Sequence, residues 1–126
     1  MTSDPNKKMR LYWNDCGRGV ESSDPKPATM EEVNFTWSDE VRGVEGNFLG
    51  LVDDQDRAIQ FLFVSGIPDH IGDAGHLQIV RMDFPVPAEG GSYFSIVKID
   101  DIYELIARAF EVGAMHEQFE VEFEAW

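Results

Sequence analysis

The sequence predicts an α+β domain in which an antiparallel sheet of about five or six strands packs against a helix in the C-terminal half. Three patterns carry this prediction: β-rich apolar runs between residues 47 and 99, one amphipathic helical period at about 101–112, and an alternating segment at 118–125. Strands joined by short returns favour an antiparallel meander. A chain of 126 residues has room for one apolar core, so we expect a single domain over residues 1–126.

The N-terminal part has the weakest pattern. Residues 1–30 predict an irregular arm around one short strand, Met9–Trp13, because Pro25 and Pro27 interrupt a segment that lacks an apolar period. This arm is expected to contribute little regular structure to the sheet.

Residues 29–42 fit two patterns. Thr29 is followed three residues later by Glu32, which is the spacing of a capping box and predicts the start of a helix. Apolar residues also alternate from position 33 to position 37, as they do in a strand. Both alternatives stay open, with a slight preference for a short helix.

The strand signals become strong at residue 47. The runs 47–53 and 57–64 are joined by three polar residues and predict a hairpin. A loop is expected over residues 65–75, which hold three glycines and a proline. Strands are then expected at 76–84 and 92–99, on either side of a turn that contains prolines and glycines.

The clearest helix has apolar residues at i, i+3, i+4, i+7 and i+8 from Ile102, which places them on one face. Asp101 stands where an N-cap is needed and Gly113 where a helix ends. Between Phe119 and Glu124 apolar residues alternate with three glutamates. This closing strand is therefore expected to pack one face on the core.

Acidic residues dominate the charge. The chain has 24 Asp and Glu against 10 Lys and Arg, a formal net charge of −14 and a pI near 4.3. Such a polyanion is repelled by nucleic acids and anionic lipids, so we expect no direct nucleic-acid partner and no membrane partner. The acids fit either general solubility or a surface that meets a cationic protein.

Composition also bears on the compartment. No apolar run approaches the roughly 20 residues that span a bilayer, and residues 1–10 lack the apolar middle of a secretory signal, which favours a cytoplasmic location. The single cysteine, Cys16, excludes an internal disulfide and fits a reducing compartment.

Two adjacent glycines, Gly90 and Gly91, are followed by Ser92, which raises the question of phosphate binding. Phosphate loops of the Walker type need a lysine and the N-terminus of a following helix. Here Glu89 precedes the glycines and a strand is expected to follow them. We therefore interpret this corner as a structural turn.

Two histidines and an aspartate in the glycine-rich loop, His70, Asp73 and His76, are candidate metal ligands. They define an alternative hypothesis, a small metal-dependent hydrolase. The spacing of the histidines is not a standard zinc spacing, and no cysteine is near. The favoured interpretation is a solvated polar loop, with no metal, no cofactor and no catalytic residue.

The C-terminal half combines a proline-containing turn, a strand restart at Gly91-Ser92-Tyr93, a helix with Phe110 late on its apolar face, and a last strand that closes on Trp126. Together with the upstream hairpin, this pattern resembles bacterial immunity proteins of the Imm1-like type, which occur beside polymorphic toxins. The similarity covers about residues 47–126. The loop from Ser65 to Gly75 and the proline-rich arm depart from it.

The resemblance implies a non-enzymatic domain that binds and silences one cognate toxin, often a nuclease or a nucleic-acid deaminase. An acidic surface would dock such a cationic toxin and occlude its active site. The expected contact residues are loop acids: Asp53, Asp54, Asp56, Asp69, Asp73 and Glu89. An effector adaptor or chaperone is the alternative binding module, and both a monomer and a homodimer stay open.

Overall fold

A computed structural model describes residues 6–126, which form an antiparallel sheet of eight strands and two α-helices. The strands are β1 (Lys8–Asp15), β2 (Arg18–Val20), β3 (Lys26–Thr29), β4 (Phe48–Val52), β5 (Ala58–Phe63), β6 (Val80–Val86), β7 (Gly91–Val97) and β8 (Glu122–Ala125). Their order is β2-β1-β4-β5-β6-β7-β8, and β3 pairs with the first half of β1. The predicted α+β class is confirmed, with more strands than the five or six expected.

The additional strands come from the segment predicted to be an irregular arm. β1 and β2 form a hairpin whose turn residues Cys16 and Gly17 have φ of 52° and 93°, and β3 runs beside the start of β1. Pro27 is tolerated because β3 is an edge strand, where no further partner needs its missing N–H. The first five residues of the predicted arm lie outside the described residues.

The ambiguous segment after β3 is helical. Helix α1 (Met30–Phe35) begins at Thr29, whose side chain accepts a hydrogen bond from the Glu32 backbone N–H at 3.2 Å, while the Glu32 carboxylate accepts one from the Thr29 N–H at 2.9 Å. A π-helical turn, Thr36–Glu40, continues it. The capping box is thus confirmed, and the strand alternative is wrong.

The predicted hairpin is confirmed as β4 and β5. The next strand begins at Val80 rather than residue 76, so the β5–β6 loop is longer than expected. The following strand, β7, starts one residue early at Gly91 and ends at Val97. Helix α2 (Ile102–Val112) ends before Gly113, whose φ is 77°, as predicted. Asp101 precedes it without a side-chain capping hydrogen bond, because a 3-10 turn already leads into the helix.

The core lies on one face of the sheet, between the strands and both helices. Val33 and Trp37 from the α1 segment pack there, and the Trp37 ring stacks on Phe63 with centroids 5.1 Å apart. Helix α2 adds four buried side chains: Ile102, Ile106, Ala109 and Phe110. Because both helices cover the same face, no helix formed by residues 6–126 lies over the opposite face of the sheet.

The closing strand differs from the prediction. All four residues of β8 are exposed, and Phe123 is 44% exposed, although Phe119 just before the strand is buried. β8 is the last strand of the sheet, so only β7 lies beside it. Within residues 6–126, no helix combines the length and apolar character required to cross a membrane.

Candidate interaction surface

The face of the sheet opposite the helices is not used by the core. Side chains alternate along a strand, so the residues between core positions lie on this face, which we call the helix-free face. Its members include, strand by strand, Lys8, Arg10, Tyr12, Asn14, Gly19, Phe48, Gly50, Val52, Ala58, Gln60, Leu62, Arg81, Asp83, Pro85, Ser92, Phe94, Ile96, Glu122 and Glu124. It presents both apolar and charged groups.

Tyr12 lies on this face, on the second strand of the sheet, and is only 5% exposed. Gly50 stands opposite it on β4, and the absence of a side chain there lets the ring lie across the strand. The Tyr12 hydroxyl then donates a hydrogen bond to Gln60 Oε1 at 3.0 Å. Burial, and secondarily the charge of Asp83, raises the pKa of Tyr12 to about 12, so the phenol is neutral and a donor at pH 7.

Gly50→Ala is expected to lower the free energy of unfolding by about 1–2 kcal/mol, because a Cβ at Gly50 overlaps the Tyr12 ring. Urea unfolding measures the change. Gly72→Ala is the matched control, since a Cβ there meets no atom within 4 Å, and we expect it to be neutral. Equal stability of the two variants would contradict this packing.

Both arginines of the helix-free face are already paired. Arg81 Nε lies 3.0 Å from Asp83 Oδ1, its Nη2 lies 2.9 Å from Glu124 Oε1, and its guanidinium carbon lies 4.1 Å from the centroid of the Phe94 ring. Arg10 donates to Asp56 Oδ1 at 2.7 Å. Because both arginines already have carboxylate partners, neither guanidinium presents an uncompensated positive charge to a partner.

An apolar row crosses the helix-free face. Phe48 pairs with Leu62 in the register of β4 and β5, and Ile96 is the next apolar residue in the same row, beyond Arg81. Phe48 and Leu62 are half-buried, and Ile96 is 40% exposed. Arg81 interrupts this row, but apolar side chains grouped on a surface and bordered by charges are typical of a surface that another molecule covers.

The six loop acids predicted to contact a partner divide between the two ends of the sheet. At one end are Asp53, Asp54, Asp56 and Glu89, in the β4–β5 and β6–β7 turns, and at the other are Asp69 and Asp73, in the β5–β6 loop. Strands of about six residues separate the ends by roughly 20 Å. These acids therefore do not form one continuous patch.

Asp53 is a structural residue rather than a surface one. It is 5% exposed: Oδ1 accepts hydrogen bonds from the backbone N–H of Gln55 (3.0 Å) and Arg57 (2.9 Å), and Oδ2 from Arg57 Nε and the Ala114 N–H (both 2.9 Å). Burial opposes ionisation, but these hydrogen bonds bring the pKa of Asp53 below its ordinary value. This corrects its assignment as a contact residue, because its oxygens are already occupied.

The other predicted acids are exposed, and several have partners within the chain. Asp56 is paired with Arg10, Glu89 accepts a hydrogen bond from the Tyr93 hydroxyl at 2.8 Å, and Asp73 Oδ1 accepts one from the Gly75 N–H at 3.1 Å. Asp54 and Asp69 are exposed as well.

The residues of the hydrolase alternative, His70, Asp73 and His76, are exposed on the β5–β6 loop. In the described part of the chain, no three His, Cys, Asp or Glu side chains are grouped so that they can hold a metal ion. The glycine corner is a turn, as interpreted: Gly90 has φ of 70° after a 3-10 turn, and the Ser92 hydroxyl accepts a hydrogen bond from Trp126 Nε1 at 2.8 Å.

Sequence reasoning missed a buried cluster around Asp15, which is 2% exposed at the end of β1. Its carboxylate accepts hydrogen bonds from Arg42 Nε at 3.0 and 3.1 Å, from Asn47 Nδ2 at 2.8 Å and from Arg18 Nη2 at 3.4 Å. The Arg42 side chain is the main reason that the pKa of Asp15 lies below its ordinary value despite burial. Two of these partners lie 27 and 32 residues away, so no local spacing reveals the cluster.

The fold and this surface define the chain as an α+β domain with one helix-covered and one helix-free face on a single sheet. A scan against protein-family models, a search of curated proteins and a search of solved structures each find no match to the chain. Its function is therefore inferred from its own residues.

Proposed function

We propose that this chain is a non-enzymatic binding protein that neutralises a cationic protein, in the manner of an immunity protein that silences a toxin. The helix-free face carries the proposal, because it is a wide sheet surface with an apolar row and no helix over it. The partner's apolar contacts would cover Phe48, Leu62 and Ile96. Burial of such a row is the main source of affinity in protein interfaces.

Charge supports a cationic partner. The chain carries a net charge of −14, and Arg10 and Arg81 on the helix-free face are already paired with carboxylates. The acid excess that a partner meets therefore comes from the chain as a whole, with Glu122 on the same face, whereas Glu124 is already paired with Arg81. Complementary charge increases the association rate and disfavours wrong partners.

The mechanism follows from the same charge. A toxin that acts on nucleic acid has a basic active site that binds phosphates, and an acidic protein surface placed over it competes for the same groups. The toxin class, a nuclease or a nucleic-acid deaminase, comes from the resemblance of the C-terminal half to Imm1-like immunity proteins. No reaction by this chain is required.

The product of the neighbouring open reading frame is the partner to test. We expect co-purification, an affinity that falls with rising salt, and loss of that protein's toxic activity at a stoichiometric ratio. A complex that leaves the activity intact would favour an adaptor or chaperone instead. Failure to bind would overturn the proposal.

Two matched substitutions test which face of the molecule binds the partner. Ile96 is 40% exposed on the helix-free face, and Tyr103 is 42% exposed on helix α2, on the other side of the molecule. Ile96→Arg is expected to weaken binding at least about tenfold, or about 1.4 kcal/mol, while Tyr103→Arg leaves it unchanged. Calorimetric titration measures both. The reverse result would place the interface on the helical side.

A further inference from the structure

A cavity of about 330 Å³ opens beside the β1–β2 hairpin, at one end of the apolar row. Asn14 and Phe48, which pair in register, line it, and Gly19 continues their row on β2. A Cβ at Gly17 would meet no atom within 4 Å, so this side of the cavity is open. The volume is at the lower limit for ligand sites and suits a single long side chain rather than a large cofactor.

The residues that line the cavity combine aromatic, hydroxyl and acidic groups. Phe48 supplies an aromatic ring from the helix-free face, and Ser22 and Ser23 supply hydroxyl groups. Trp13 also lines the cavity, but its side chain lies on the opposite face of β1, where it packs against the core and Arg18. Glu21 is the charged residue among the described residues that line it. A turn holds Glu21 in place: its carbonyl accepts a hydrogen bond from the Asp24 N–H at 3.1 Å, and the Ser23 hydroxyl donates to its carboxylate at 3.5 Å.

We propose that this cavity binds the guanidinium group of an arginine side chain on the cationic partner. A guanidinium is planar, stacks on aromatic rings and pairs with a carboxylate, whereas the ammonium of lysine is compact and strongly hydrated. The cavity offers an aromatic ring, one carboxylate and hydroxyl acceptors, and these groups match a guanidinium rather than an ammonium. The identity of the partner rests on the proposed function, but the chemistry of the cavity does not.

Arg18 is near this cavity and does not oppose the proposal. Its guanidinium carbon lies 5.1 Å from the centroid of the Trp13 ring, and its charge is paired with Glu40 at 2.8 Å and Asp15 at 3.4 Å. Those two carboxylates neutralise it, so Glu21 sets the charge of the lining. The same edge of the sheet therefore already packs one arginine on tryptophan.

The test uses N-acetyl-arginine amide as the probe, added to the ¹⁵N-labelled protein and followed by NMR. We expect shifts at the amides of Gly17, Gly19, Ser22 and Ser23, with a dissociation constant on the order of millimolar. N-acetyl-citrulline amide has the same planar shape without the charge, and we expect its binding to be at least about fivefold weaker. The corresponding lysine derivative is also expected to bind more weakly.

Glu21→Gln is expected to weaken binding of the arginine probe by about five- to tenfold, whereas Glu122→Gln, elsewhere on the helix-free face, has no effect. Glu21 is exposed, so its variant is expected to fold normally. Equal binding of the arginine and citrulline probes, or an unaffected Glu21→Gln variant, would overturn the proposal. A positive probe titration with a partner that fails to bind would instead refute the proposed function alone.

Discussion

Asp53→Asn is expected to lower the free energy of unfolding by about 3 kcal/mol and the Tm by roughly 10 °C, although it replaces a single oxygen with an amide nitrogen. Each carboxylate oxygen of Asp53 accepts two hydrogen bonds in a buried site. An asparagine presents one oxygen and one NH₂ group. Whichever way the amide turns, its NH₂ group takes the place of one carboxylate oxygen. The two N–H groups that donated to that oxygen then face another donor and lose their acceptor.

These donors lie in distant parts of the chain, so their loss is expected to destabilise the whole domain rather than the turn alone. Gln55 and Arg57 belong to the β4–β5 turn, whereas Ala114 follows helix α2 and lies 61 residues after Asp53. Asp53 therefore ties the turn to the end of the helix. Gly113 is part of the same arrangement, since a Cβ there would lie 2.9 Å from Asp53 Oδ2.

Asp54→Asn is the matched control, because Asp54 is the exposed neighbour in the same turn. We expect it to change the free energy of unfolding by less than about 0.5 kcal/mol. Urea denaturation at pH 7 measures both variants under identical conditions. If Asp53→Asn were as stable as Asp54→Asn, the hydrogen bonds to Asp53 would not have the role assigned to them.

Elements with local signals were predictable from the sequence. The capping box of Thr29 and Glu32 specifies where α1 begins, and the helical period from Ile102 with Gly113 specifies the extent of α2. Strands β4 and β5 were predictable because each is an apolar, β-rich run and a polar turn lies between them. In each case the determining residues lie within one or two turns of each other.

The short strands β2 and β3 were not predictable, because their stability comes from pairing with β1 rather than from their own composition. β2 has three residues, two of them charged or glycine, and β3 contains Pro27. The packing of β8 on the core was overestimated for a related reason. Its alternation is real, but an edge strand has a partner on one side only, so its apolar residues stay exposed.

The candidate surface depends on long-range geometry in the same way. The sequence indicates which strand residues alternate, but only the placement of α1 and α2 shows which set is covered. Tyr12 illustrates the point: its position suggests an ordinary strand aromatic, and its burial results from Gly50 on a strand 38 positions later. Likewise Asp53 has the local appearance of a turn acid, and only its contact with Ala114 shows that it is buried.

Asp15→Asn is expected to destabilise the protein by about 2.5 kcal/mol at pH 7, because it removes the charge that Arg42 and Arg18 face in a buried site. The cluster holds the end of β1 against the segment before β4, since Asn47 donates to Asp15 and accepts from the Cys16 N–H at 2.8 Å. Substitution therefore weakens both the β1–β2 turn and its contact with that segment.

This effect is expected to depend on pH in a defined direction. The pKa of Asp15 is lower in the folded protein than in the unfolded chain, where an aspartate titrates near about 3.9. As the pH falls, the unfolded chain binds the proton first, so the stabilisation by the carboxylate is present above that value and is lost as the pH falls through the folded pKa. The difference between wild type and Asp15→Asn should therefore shrink below about pH 4.

Unfolding by urea at pH 7, 5, 4 and 3 measures this difference, and comparison of the two proteins cancels the titration of the other acids. Asp24→Asn is the control, because the ion pair of Asp24 with Lys26 is solvent-exposed and contributes less than about 1 kcal/mol at any pH. A difference between wild type and Asp15→Asn that stays constant from pH 7 to pH 3 would show that shape, and not charge, is what the buried site requires of Asp15.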